Sequence, residues 1–271
     1  MITSRHNPRI KLFRALAQRK FRDREGAFVL DGVLQVAAAL DSGLRLRDVF
    51  WCEALLVSEH GRTLTARVGH ETALDEVSEH VFRALSDRAE PQGIAAIAER
   101  PEARLSDLSL SPDGVLLALE DIRDPGNLGT IIRTADAAGA DGVVTLGRSV
   151  DPYDPKVVRA TMGSLFHVHV AETESPAELA AWARANGARI YAASTGGAQA
   201  HFEAEFSGRT AFLIGNEARG LSAEALECAD AVIRIPMLGR AESLNAATAA
   251  AVLIYEVVRQ RMQRGGGRRL E

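Results

Sequence analysis

Apolar residues recur at helical spacing over residues 8–20, where Ile10, Phe13, Leu16 and Ala17 share a face. Phe28-Val29-Leu30 then reads as a short strand, and 33–40 as a helix after the Asp31-Gly32 break. Residues 48–51 and 55–57 suggest strand and helix fragments of a small α/β unit, and Pro91-Gln92-Gly93 precedes another apolar stretch at 94–98. The pattern then changes. Residues 99–114 are polar, with two prolines and a final glycine, and predict a linker. A loop within one larger domain is the alternative.

The second half is more regular. An apolar run at 115–120 has strand length, a turn-rich loop covers 121–128, a helix is expected over 129–138 with Gly139 as its stop, and 142–146 is the next strand. Further strands are expected at 189–193, 211–214 and 231–235, and a last helix from about 244 to 262. Residues 264–271 predict a disordered tail. Strands alternating with helices imply a mainly parallel α/β sheet. Ligands of such sheets collect beyond the carboxyl ends of the strands. The loops after Glu120, Ala193, Ile214 and Ile235 are therefore the places to seek chemistry.

A length of 271 residues suggests about two domains. No apolar run is long enough to span a bilayer and the N-terminus has no signal-peptide core, so a cytoplasmic location is expected. With only Cys52 and Cys228, a disulfide framework is not expected and a cysteine metal cluster is excluded. The net charge of −4 does not suggest a nucleic-acid partner, but its distribution does. Residues 1–24 carry eight Lys or Arg against one acid, leaving 24 basic and 35 acidic groups in the rest. A basic arm on an acidic body fits a phosphate-backbone contact. A solvated arginine-rich helix face is the plainer reading.

The loops hold the unusual residues. Asp124-Pro125-Gly126-Asn127 reads as a β-turn, with Gly126 at positive φ and Asn127 capping the next helix. Arg133 lies one turn after Gly129 and either reaches back toward the mouth of a site or pairs on the surface with Asp136 or Asp124. Ser194-Thr195-Gly196-Gly197, Gly215-Asn216-Glu217 and Ile235-Pro236-Met237 each end a strand, the last leading to Ser243-Leu244-Asn245. Glycines there let backbone amides approach a ligand. Ser243 binds a ligand or caps the last helix; Glu217 orients a substrate or is a solvated acid. No GxGxxG or Walker lysine occurs, which argues against a nucleotide-dependent oxidoreductase. His167 and His169 alternate as on one strand face without a third metal ligand nearby, and Cys228 reads as core in an Ala-rich helix.

Three of these segments, in order, resemble the motifs of the SpoU/TrmH family of RNA 2'-O-ribose methyltransferases in the SPOUT superfamily: residues 124–135, 214–221, and 235–237 with 242–247. Ser4-Arg5-His6-Asn7-Pro8, Asp31-Gly32 and Pro91-Gln92-Gly93-Ile94 are similar to the family's N-terminal substrate-binding domain. Two departures are mild: Asp31 stands where the family usually has Glu, and Asn245-Ala246-Ala247 where it usually has Asn-Val-Ser.

The resemblance implies a ribosomal-protein-like α/β domain at 1–98, the linker at 99–114, and a SPOUT α/β domain with a deep trefoil knot at 115–263. It also implies a homodimer, S-adenosylmethionine as methyl donor, and RNA as substrate, with ribosomal RNA favoured over transfer RNA. A non-catalytic RNA-binding protein is a rival, which the retained motif residues argue against. The implied catalytic and substrate-positioning set is Asn127, Arg133, Glu217, Ser243 and Asn245. Ser194, Thr195, Gly215, Asn216, Ile235, Met237 and Leu244 are expected at the cofactor, and Arg5, Asn7, Lys11, Arg19, Lys20 and Arg22 at the RNA. No metal is expected. Because arginine stays protonated, Arg133 is expected to stabilise a developing alkoxide rather than act as a literal base.

Overall fold

The computed structural model describes residues 1–265, apart from the side chains at positions 70 and 71. In chain order its elements are α1 (Pro8–Ala15), α2 (Arg19–Glu25), β1 (Ala27–Asp31), α3 (Val33–Asp41), β2 (Leu46–Trp51), α4 (Glu59–Glu71), β3 (Leu74–Glu76), α5 (Glu79–Leu85) and β4 (Ile94–Glu99). Then come β5 (Val115–Glu120), α6 (Pro125–Ala137), β6 (Gly142–Leu146), α7 (Pro155–Ala160), β7 (His169–Thr173), α8 (Pro176–Ala185) and β8 (Arg189–Ala193). The last are β9 (Gln199–Ala200), β10 (Thr210–Ile214), α9 (Ala223–Cys228), β11 (Ala231–Arg234) and α10 (Ala246–Gln263). They form two compact units: Met1–Glu102 with Asp151–His167, and Ala103–Val150 with Val168–Glu271.

The first unit is a four-stranded sheet in the order β1-β4-β2-β3, antiparallel except for β2 with β3. The helix expected over 8–20 is two helices. α1 starts on Asn7, whose side chain accepts from the Arg9 amide, and α2 starts from extended Gln18 and stops at Gly26, φ 55°. Residues 55–57, expected to be helical, instead form a turn and loop that lead into the Ser58 cap of α4. Residues 151–167, read from sequence as part of the second half, belong to this unit because Phe28 stacks near Tyr153 and Phe166, with ring centroids 4.9 and 6.4 Å away.

One expectation fails here for a clear reason. Arg22 cannot meet RNA: it is only 1% exposed. Its Nε donates to Asp151 Oδ2 at 2.7 Å, its Nη2 lies 2.6 Å from the same oxygen, and its Nη1 donates to the carbonyls of Leu16 and Ala17. A buried arginine that satisfies its donors this way is a structural ion pair.

The second unit is a seven-stranded, all-parallel sheet in the order β7-β6-β5-β10-β8-β11-β9. Its central strands are buried throughout, as expected of a sheet covered on both faces. The stretch read as linker divides: 99–102 lie with the first unit and 103–114 with the second, where Leu105, Leu108 and Leu110 join the core. His167 ends a short 3-10 turn while His169 opens β7, so the two do not share a strand face. Cys228 ends α9 and packs, partly buried, against the core as expected. Of the predicted tail at 264–271, Arg264 caps α10, and positions 266–271 lie outside the described residues.

Candidate active site

Strand order reverses between β5 and β10, which makes their carboxyl ends a topological switch point. The chemistry starts four residues past the end of β5, at Asp124. Asp124 caps α6 by accepting from the Asn127 amide at 2.8 Å, and Pro125 occupies the first helical turn. The expected β-turn is thus the helix itself. Gly126 is not at positive φ, and Asn127 is not the cap. The shift has a consequence: as a first-turn residue, Asn127 keeps its side chain free for other partners.

Those partners are two of the predicted residues. The Asn127 side-chain amide donates to Glu217 Oε1, and its Oδ1 accepts from Asn245 Nδ2 at 2.9 Å. Asn245 also caps α10, accepting from the amides of Ala247 at 2.9 Å and Thr248 at 3.3 Å. Ser243, the alternative cap, is exposed and does not cap it. Three sequence-distant residues therefore form one continuous hydrogen-bonded chain.

Beside it lies a cavity of about 380 Å³ at the carboxyl ends of β8, β10 and β11. All seven residues expected at the cofactor line it: Ser194, Thr195, Gly215, Asn216, Ile235, Met237 and Leu244. Glu217 and Ser243 line it too. Gly215 is required there, since a Cβ would sit 2.4 Å from the Gly220 backbone. Asn216 lines the cavity while holding its loop: its Nδ2 donates to the Asp121 carbonyl at 3.1 Å, and its Oδ1 accepts from the Ala218 amide at 2.9 Å.

Glu120 has a place that the sequence reading did not give it. It is 9% exposed, and its carboxylate accepts from the Ser222 amide at 2.8 Å and the Ser222 hydroxyl at 2.6 Å. Ser222 in turn caps α9. Asp121 follows at φ 56°, a conformation rare for a side-chain-bearing residue. These two residues pin both ends of the 216–222 loop. The available signal was an acid closing an otherwise apolar strand.

Arg133 is not brought to the cluster. It is exposed, six residues along α6 from Asn127, and its side chain makes no hydrogen bond or ion pair among the described residues. Of the residues expected at RNA, Arg5 donates to the His80 carbonyl, Asn7 is occupied as the α1 cap, and Arg19 lies 3.6 Å from Asp23. Lys20 lies over the Phe21 ring at 4.9 Å, and Lys11 is exposed. Among the described residues no group of His, Cys, Asp and Glu could hold a metal ion, and no helix is long and apolar enough to cross a membrane.

Comparison with known proteins fits this geometry. The model of the SpoU rRNA methylase family matches residues 114–255, and that of the MRM3-like substrate binding domain matches residues 7–96. The chain is 35% identical over 268 residues to the 23S rRNA (uridine(2479)-2'-O)-methyltransferase of Streptomyces viridochromogenes, covering 96% of this chain and 92% of that one. It is 33% identical over 258 residues to the Bacillus subtilis 23S rRNA (guanosine(2553)-2'-O)-methyltransferase RlmP, covering 94% and 98%. Among solved structures, the SpoU methyltransferase AviRb of S. viridochromogenes in complex with AdoMet superposes with a TM-score of 0.88 at 33% identity, covering 97% of this chain and 100% of that one. An AdoMet-bound rRNA methyltransferase of Sinorhizobium meliloti gives 0.86 at 36% identity, covering 95% and 97%. The chain belongs to the SpoU rRNA methylase family.

Proposed function

We propose that this protein transfers a methyl group from S-adenosylmethionine to a ribose 2'-hydroxyl of ribosomal RNA. The observation that carries the reading is the Asn245–Asn127–Glu217 chain beside the switch-point cavity. The cavity suits the cofactor. Its volume of about 380 Å³ falls in the range of small-molecule sites, and Gly215 leaves backbone rather than side chain on one wall. Gly215, Ile235 and Leu244 would hold the cofactor through backbone groups. When bound, S-adenosylmethionine supplies an activated methyl group.

The protein's own task is to align a poor nucleophile and ease loss of its proton. Asn127 is fixed in orientation, its carbonyl turned to Asn245 and its amide to Glu217. Glu217 is thereby held with one oxygen engaged and the other available to the ribose hydroxyl. Ser243 offers an exposed hydroxyl at the same cavity. Arg133 would stabilise the developing alkoxide. Its exposed place on α6 fits delivery to the site of a second copy, in the homodimer that family membership implies. The deep trefoil knot belongs to the same expectation, as does a division of labour in which 1–98 binds RNA and 115–263 carries the chemistry.

Methyl transfer to unmodified ribosomal RNA, with transfer RNA in parallel, tests the assignment. Label is expected in ribosomal RNA, and its rate of incorporation should fall steeply in Asn127→Ala. Transfer only to transfer RNA would overturn the substrate assignment.

A further inference from the structure

The first unit has an open cavity of its own, about 260 Å³, lined entirely by residues of that unit. Phe13, Leu85 and Val158 give it apolar walls. Asp31, whose side chain is 16% exposed, lines it together with exposed Arg14 and half-buried Arg159.

The charged groups stand out from those around them. Arg9, Arg19, Arg24, Arg83 and Arg100 of the same unit all pair with acids. The side chains of Arg14 and Arg159 make no hydrogen bond or ion pair among the described residues, and both border this cavity. Asp31 accepts from the Ser86 hydroxyl through Oδ2, while its Oδ1 is buried with no hydrogen-bond partner. Arg88 Nε, 3.7 Å from Oδ2, is likewise unpartnered. Buried acceptors without donors are rare and costly. Burial pushes the Asp31 carboxyl above its ordinary range, against the opposing pull of Ser86, Arg88 and Arg159.

Few ligand classes satisfy all three features. A free anion would face Asp31, a free cation would face two unpaired guanidinium groups, and an apolar ligand would leave every charge unmet. A nucleotide has apolar ring faces, an edge of N–H donors and an anionic phosphate. The volume lies just below the span of about 300–1,000 Å³ typical of drug-sized sites, which suits one base rather than a larger ligand. Sequence-specific RNA binding mostly takes unstacked single-stranded bases into such places.

We propose that this cavity receives one unpaired nucleotide of the RNA substrate, its base edge toward Asp31 and its phosphate toward Arg14 and Arg159. The inference rests on the reading that RNA is the substrate. A carboxylate accepts from exocyclic amines, so guanine, cytosine and adenine, which carry one, are favoured over uracil, which does not. Asp87, which also borders the cavity, is exposed and solvated.

The test titrates the full chain with the 5'-monophosphates of guanosine, cytidine and uridine, following the methyl resonances of Leu85 and Val158. The expected result is saturable shifts at both, at lower concentration for guanosine and cytidine than for uridine. Asp31→Asn should narrow that preference by about tenfold. Because Asp31 is partly buried and its variant can fail to fold, Arg14→Ala with Arg159→Ala is the second arm and should weaken all three nucleotides alike. Unmoved Leu85 and Val158 methyls at millimolar nucleotide, or unchanged affinity in the double arginine variant, would overturn the site. Methyl transfer is measured separately on the same samples. Shifts without transfer would retain this site and remove the catalytic reading, whereas transfer without shifts would do the reverse.

Discussion

Asn245 and Asn127, 118 residues apart in sequence, meet through a 2.9 Å hydrogen bond from Nδ2 to Oδ1. Asn245 also caps α10, so its two roles need separating. Asn245→Asp keeps the cap acceptor but replaces the donor facing Asn127 with a carboxylate oxygen. Its melting temperature should stay near that of the parent while turnover falls. Asn245→Ala should lose both, with about 1 kcal/mol of stability gone with the cap. Equal turnover in the Asp variant and the parent would show that the contact has no catalytic consequence.

Asn127 and Glu217 should behave as one unit. Removing the Asn127 side chain is expected to cost on the order of 100-fold in turnover. Adding Glu217→Ala should cost much less than the product of the two single losses, because parts of a shared device are not additive. Single-turnover rates on the four proteins of that cycle would give the coupling. Strict additivity would mean the two act independently.

Glu120 holds the 216–222 loop through Ser222 without lining the cavity. Glu120→Ala frees Ser222 and loosens residues 216–222. Calorimetry should show S-adenosylmethionine binding weakened by about tenfold, the effect of losing an interaction of roughly 1.4 kcal/mol. Turnover at saturating cofactor should change far less, and Glu120→Gln, which keeps one acceptor, should recover part of the affinity. A fall confined to turnover would contradict this role.

Arg22 separates stability from RNA contact. Breaking its buried pair with Asp151 by Arg22→Ala should destabilise the protein by about 3–5 kcal/mol, read by chemical denaturation. RNA affinity of the folded fraction should hold. A variant as stable as the parent but weak on RNA would reinstate Arg22 as a contact.

Glu256 gives a pH signature. Its hydrogen bond from Arg259 holds the carboxyl below the ordinary range, with Gln260 adding to the effect. A depressed folded value means the stabilisation is complete above the ordinary carboxylate pKa, about 4.3, and is lost as pH falls through the lower folded value. Denaturation midpoints should therefore fall less steeply in acid for Glu256→Gln than for the parent. Parallel acid profiles would show that Glu256 does not contribute to the loss.

Much of the site was legible because its residues fall in compact strand-end motifs. All seven residues expected at the cofactor line one cavity: the apolar period marked the strand ends they follow, and the resemblance to the SpoU/TrmH motifs is what assigned them to a cofactor. What was missed depends on long-range packing. Nothing local in Arg22 distinguishes it from its exposed basic neighbours; only the approach of Asp151, 129 positions on, decides its burial. The same holds for the link between Glu120 and Ser222, 102 positions apart. At Asp124-Pro125-Gly126-Asn127 two local signals competed, and a proline that begins a turn equally well begins a helix once Asp124 is there to cap it.

The most direct test of the central claim is mass analysis of nucleosides from ribosomal RNA treated with this protein and methyl-labelled S-adenosylmethionine. Label is expected on a ribose 2'-oxygen of the ribosomal RNA. Label on a base, or none while the cofactor demonstrably binds, would contradict it.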